Sequence, residues 1–240
     1  MLYFLTSSPH APGQSVLNAA NGFAAELKQA LPKPVRALFI TSMPDDRDFT
    51  RQVSDSTRAL FAASGMEFSA YEVLDRSSAD RVAEFVKQAE LIVLSGGPTP
   101  MENRFFADLG LKALIEGFDG VLVGISAGSM NSAQVVYAQP EEPGEAIDPD
   151  FEKFLPGLGL TQLQIIPHYQ AIRDSVLDGK RLFEEVTYPD SMGHCFHAFP
   201  DGTYLFGVRG GREELRGEAY TIENGVLTQI SREGEILKTR

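Results

Sequence analysis

The chain has 240 residues, 43% of them hydrophobic, which supports a folded globular core and excludes a disordered chain. Its formal charge of −12 argues against nucleic acid and anionic membrane as partners, because both are bound through a surplus of Lys and Arg. No apolar run reaches the roughly 18 to 20 residues that span a bilayer. The apolar start lacks the basic region of a signal peptide, and the single cysteine, Cys195, can form no internal disulfide, so a cytoplasmic location is expected.

In chain order, short apolar runs predict strands at Leu2–Thr6, 35–41, Phe68–Leu74, 91–95 and Val121–Ile125. Between them, residues 15–31, 47–64 and 78–89 repeat their apolar positions at three and four, as in Val82, Phe85, Val86 and Ala89, and predict amphipathic helices. Buried Val/Ile/Leu strands alternating with such helices give an α/β fold, a mostly parallel sheet sandwiched by helices. A helix is expected over 127–136, followed by an acidic, proline-bearing surface loop at 139–149. Residues 157–168 predict a buried strand ending at Pro167-His168, and 175–186 a further helix. From His194 onward, Asp201-Gly202, Arg209-Gly210-Gly211 and Asn224-Gly225 read as turns between short strands, forming an antiparallel extension on one edge of the sheet. With no visible boundary, residues 1–240 are expected to form one α/β domain.

The residues with chemical potential cluster at predicted strand ends. Gly124-Ile125-Ser126-Ala127-Gly128 has the Gly-x-Ser-x-Gly form. It suits a serine on a sharp strand-to-helix turn, whose flanking positions need small residues and whose following N–H groups can face an oxyanion. A serine needs a base, and His168 ends a predicted strand, where α/β folds place ligand-facing residues. His10, after the first strand, stands on the same rim, while His194 and His197 are expected on opposite faces of one strand. The strand entering Gly96-Gly97 leaves bare backbone there. Gly97 is the candidate second oxyanion donor, because Pro98 has no N–H.

Taken together, Ser95-Gly96-Gly97-Pro98-Thr99, Gly124 to Ser129, Gln164 to Tyr169 and Pro200-Asp201-Gly202 resemble the serine peptidase family of dipeptidase E and cyanophycinase. The resemblance implies a class I glutamine amidotransferase-like sandwich, with Ser126 as nucleophile, His168 as base and the Gly97 and Ala127 amides as oxyanion hole. Where many members carry Asn after the glycine pair, this chain has Pro98. For the acid, the loop offers Glu141, Glu142 or Asp148 and the later turn offers Asp201. A tight turn after a buried strand holds a carboxylate better than a loop rich in Pro and Gly, so Asp201 is favoured and Glu142 is second. The resemblance further implies cleavage at aspartyl bonds, N-terminal Asp dipeptides above all. The substrate carboxylate would then need a cation, for which Arg173, Lys180 and Arg181 are candidates, Arg being preferred for its bidentate fork.

The expected partner is therefore a small peptide, with no nucleic acid, no membrane, no cofactor and no metal; the sequence is compatible with a homodimer and does not fix the oligomeric state. Two other readings share some of these features. One is a non-catalytic binding member of the same fold. The other is an α/β-hydrolase esterase, which places its histidine near the C-terminus and uses a His-Gly-Gly loop absent here. A metal hydrolase would have to rest on His194-x-x-His197, since no other cluster has ligand spacing.

Overall fold

The computed structural model describes residues 1–10 and 13–239. Five strands, β1 (Leu2–Thr6), β2 (Val35–Ile40), β3 (Phe68–Leu74), β4 (Leu91–Leu94) and β5 (Val121–Ile125), run parallel in the spatial order β1-β5-β4-β2-β3. Successive residues of a strand point to opposite faces, so one run feeds two cores. Leu38, Ile40, Ile92, Leu94 and Leu122 pack on one side. Phe39, Val93, Val121 and Val123 pack on the other. Helices α1 (Phe23–Ala30) and α2 (Arg47–Ala63) cover the second face, bringing Phe23, Leu27 and Phe61. Helices α3 (Val82–Gln88), α4 (Thr99–Asp108) and α5 (Leu111–Glu116) cover the first with Phe85, Phe105 and Ile115. The result is the helix-sheet-helix sandwich anticipated from the sequence.

Beyond β5 come α6 (Ala127–Met130), a small ribbon of β6 (Val135–Tyr137) and β7 (Phe154–Pro156), then β8 (Gln164–Ile166) and α7 (Tyr169–Ile172). A hairpin of β9 (Val176–Leu177) and β10 (Lys180–Arg181) leads through a π-helical turn at Leu182–Thr187 to α8 (Tyr188–Asp190). The last strands are β11 (Cys195–Ala198), β12 (Tyr204–Val208), β13 (Glu213–Arg216), β14 (Ala219–Glu223), β15 (Val226–Ser231) and β16 (Ile236–Lys238). They do not form a single edge extension. β12, β13 and β16 continue the main sheet antiparallel beyond β1, whereas β11, β14 and β15 join β8 in a second, four-stranded sheet. The division follows from β8 and β11 pairing in parallel, after which the chain turns at Asp201-Gly202, where Gly202 has φ +98°, and crosses to the main sheet.

Three expected helices are shorter than their apolar periodicity implied. The first begins only at Phe23, because Asn21 and Gly22 hold φ of 55° and 85°. The helix after Ser126 stops at Met130: the Asn131 side chain turns to donate to the Thr99 carbonyl at 3.1 Å and to Glu102 at 2.8 Å, and Val135 and Val136 enter a strand. Residues 175–186 open as a hairpin around Asp178-Gly179, whose φ values of 52° and 79° fit a two-residue turn. The strand expected over 157–168 contracts to β8, since the Gly157 and Gly159 amides bond to the carbonyls of Gln134 and Ala133.

Where α6 crosses the sheet, a Cβ on Gly128 would lie 2.6 Å from the Leu94 carbonyl oxygen. Gly128→Ala is therefore expected to destabilise the fold by about 1–3 kcal/mol in denaturant unfolding, the cost of overpacking a tight contact. An unchanged midpoint would show that α6 can shift away from β4.

Candidate active site

Parallel strands end on a common rim, and here four serines follow them: Ser7 after β1, Ser42 beyond β2, Ser95 after β4 and Ser126 after β5. Ser126 has φ 51° and ψ −113°, a conformation that costs a residue with a side chain of order 1–3 kcal/mol. Its surroundings hold it there. The Ser126 amide donates to the Thr6 carbonyl at 3.0 Å, and the Gly128 amide donates to the Ser95 carbonyl at 3.0 Å. The Ser129 hydroxyl lies 2.8 Å from the carbonyls of both Thr6 and Gly124. A Cβ on Gly124 would sit 2.9 Å from the Gly128 oxygen, so both glycines of the motif are required by packing.

His168 follows β8 at φ 58° and ψ 27°. The Ser126 hydroxyl donates to its Nε2 at 3.0 Å, and its Nδ1–H donates to Asp201 Oδ1 at 2.8 Å, which fixes the tautomer. The Ser7 hydroxyl donates to the same Asp201 oxygen at 2.7 Å and accepts the His168 backbone N–H at 2.7 Å, while Gln170 Oε1 accepts the Asp201 N–H at 2.9 Å. Burial alone would raise the Asp201 pKa, but the hydrogen bonds from His168 and Ser7 more than offset it, and the carboxyl lies below its ordinary value. Ser7 and Gln170 were not singled out in the sequence. Their signal was weak: a hydroxyl at the end of a parallel strand, and an amide two residues past the histidine.

The Gly96-Gly97 turn passes beside the serine, for a Cβ on Gly96 would lie 3.2 Å from Ser126 Cβ. Gly97 holds φ 148°, and a Cβ there would collide with the Ser42 side chain. The Ser42 hydroxyl donates to the Gly96 carbonyl at 2.8 Å and its amide to Ser95 Oγ at 3.0 Å, so the turn is held from β2 as well. Ala127, buried, opens α6 directly after Ser126.

Other expected positions separate from this group. Glu142 is exposed and its amide donates to Glu145, so the structure pairs His168 with Asp201 rather than with the loop. Glu141 instead accepts the Thr99 N–H at the start of α4, at 2.6 Å, and desolvation pushes its pKa up. Asp148 lies in the same exposed loop and accepts the Asp150 amide. Arg173 and Arg181, expected to bind substrate, do not line either cavity at Ser126. Their guanidinium groups are exposed and turn to the adjacent Asp174 and Glu185. Lys180 donates to the Ala146 carbonyl, at 2.9 Å. His194 stacks on Phe154 with centroids 4.2 Å apart, and burial lowers the His197 pKa to about 4. Among the described residues, no group of three or more His, Cys, Asp or Glu could hold a metal ion, and no helix is long and apolar enough to cross a membrane.

Ser126 and His168 stand between two cavities, one of about 710 Å³ bounded by α2 and one of about 300 Å³ bounded by α7 and the β9–β10 hairpin. A serine on a strand-to-helix turn, hydrogen-bonded to a histidine that a half-buried carboxylate orients, is the arrangement of a serine hydrolase. The chain belongs to peptidase family S51, whose family model matches residues 4–192, and is by that membership a serine peptidase. Ser126 and His168 fall within the matched segment; Asp201 lies beyond it. A peptidase from an acI-B1 actinobacterium superposes with a TM-score of 0.65 at 21% identity, over 99% of this chain and 96% of that one. A peptidase E-like protein from Listeria monocytogenes EGD-e gives a TM-score of 0.59 at 17% identity, over 96% and 98%. At these identities the likeness establishes the fold. No curated protein sequence matches the chain at a significant level.

Because the Asp201 pKa is lowered in the folded chain, its bonds stabilise the fold above the unfolded carboxyl pKa and are lost as pH falls through the folded value. Wild type should therefore exceed Asp201→Asn in unfolding free energy near neutrality, and the gap should close on acidification below about pH 4. A gap that is constant across that range would place the stabilisation elsewhere.

Proposed function

We propose that this serine peptidase hydrolyses short peptides through an acyl-enzyme formed on Ser126. The observation that carries the reading is the continuous relay from the Ser126 hydroxyl through His168 to Asp201, at 3.0 and 2.8 Å. His168 Nε2 takes the serine proton as Oγ attacks the scissile carbonyl, forming the tetrahedral intermediate. The Gly97 and Ala127 amides face the developing oxyanion, and the imidazolium, held by Asp201, then protonates the leaving amine. Water attacks the acyl-enzyme by the same route, and Ser126 leaves protonated. Ser7 acts through others: its single hydroxyl spans the His168 backbone and the Asp201 carboxylate, so it positions both.

The walls of the smaller cavity suit the acyl residue of a short substrate, because the hairpin and the acidic loop close over it. Asp178 accepts the amides of Gly144 and Ala146 at 2.8 and 3.0 Å, tying the loop to the hairpin. For an N-terminal Asp residue, Arg181 is a cation placed beside this cavity. It directly precedes Leu182, a wall residue, and its exposed guanidinium meets Glu185. We therefore assign N-terminal Asp dipeptides as the first substrate class, with Arg181 swinging inward from Glu185 to meet the carboxylate.

Ser126→Ala should abolish both labelling by a fluorophosphonate and hydrolysis of a dipeptide library while leaving the unfolding transition in place; undiminished hydrolysis would remove Ser126 from the mechanism. Gly97→Ala, which displaces the turn against Ser42, should lower kcat by about 10²- to 10³-fold, the loss associated with one oxyanion donor. Arg181→Ala should raise KM for Asp-Leu while sparing Ala-Leu. Equal effects on the two substrates would show that Arg181 does not read the acidic side chain.

A further inference from the structure

The larger cavity at Ser126, about 710 Å³, has more than twice the room of the smaller one, about 300 Å³. Its walls come from the loop after β1, from α2 and from the Gly96-Gly97 turn, and among the described residues no Lys, Arg, Asp or Glu lines it. That is not what the composition of α2 would give by chance. The helix carries Arg47, Asp48, Arg51, Asp55 and Arg58, yet Val53, Ser56, Thr57, Leu60 and Ala63, which recur at three and four, turn a charge-free stripe to the cavity. Arg58 instead lies over the Tyr71 ring on β3, 5.6 Å from its centroid. A solvated helix face would carry the charges. This one keeps them off an accessible wall next to the proposed nucleophile.

We infer that this cavity receives a bulky, uncharged side chain, that of the residue on the leaving side of the scissile bond. The inference rests on the reading of Ser126 and His168 as catalytic and of the smaller cavity as the acyl side. An apolar side chain gains by leaving water against Val53, Leu60 and Ala63. A charged one is desolvated there without a partner. The leaving residue's own carboxylate stays at the mouth, where His10 is exposed. Selectivity thus lies in two unlike compartments on either side of one serine.

The test measures kcat/KM for dipeptides in which Gly, Leu, Phe, Lys or Glu follows the scissile bond, each series carrying Asp, Ala or Leu in front. It is paired with calorimetric binding of the same dipeptides to Ser126→Ala. Phe and Leu should exceed Lys and Glu by about tenfold or more in both readouts, whichever front residue is cleaved. Ala63→Phe, at an exposed position at the end of α2, places a ring in the cavity and should lower the Phe-to-Gly ratio by a similar factor, with its unfolding transition checked alongside. Equal or reversed preference for charged residues, or an unchanged ratio in Ala63→Phe, overturns the inference while fluorophosphonate labelling of wild type still supports the serine. Absence of labelling in wild type overturns the catalytic reading, and this inference with it.

Discussion

The close approach of backbone to backbone around Ser126 governs the rest of the site. A serine at φ 51° is unfavourable by itself, and it persists because α6 lies directly on β4 and β5. Gly124 and Gly128 make that contact available, since a side chain at either would meet main-chain atoms of its neighbours. Once the elements are this close, the Ser126 amide, the Gly128 amide and the Ser129 hydroxyl all find carbonyls on β1, on β5 or directly after β4. The strain is distributed over three strands of one rigid sheet. The same packing points the hydroxyl away from the core and toward the rim.

The second sheet brings the partners to that hydroxyl. β8 and β11 run in parallel, so His168 and Asp201 emerge at the same end, one after each strand. The Phe199 amide donates to the Ile166 carbonyl at 2.8 Å and the Tyr169 amide to the Phe199 carbonyl at 3.2 Å, which locks the two exits together. Ser7, at the end of β1, then stitches this pair to the main sheet through one hydroxyl. Neither sheet alone holds a complete relay. The geometry depends on their junction, where hydrogen bonds from His168 and Ser7 offset burial and hold the Asp201 carboxyl below its ordinary value.

The two flanks of the serine are built differently. One is a wall of helix α2 and the β1 loop, rich in hydroxyl and apolar groups. The other is a roof of irregular segments, the acidic loop and the β9–β10 hairpin, joined by Asp178 and Lys180. Beneath these polar ties, Ala146 of the loop and Leu177 of the hairpin pack on a small apolar cluster with Tyr169, Leu182 and Phe183.

By itself the sequence determined the parallel sandwich, because uninterrupted apolar strands buried on both faces leave no other place for their side chains. It also determined the serine turn and the histidine at a strand end, since Gly-x-Ser-x-Gly and Pro167-His168 are local patterns with local causes. It misjudged segments where local chemistry competed with periodicity: Asn21-Gly22 delayed an expected helix, Asn131 ended one and Asp178-Gly179 replaced one with a hairpin. What only the tertiary structure decided was which groups meet. Ser7 and Asp201 are separated by 194 residues of chain, and their bond depends on two sheets joining at one rim. Arg173 and Arg181, close to the histidine in sequence, face solvent, because a hairpin and a short helix direct their side chains outward. Spacing along the chain predicts neighbours within one helix or strand; across elements, only packing does.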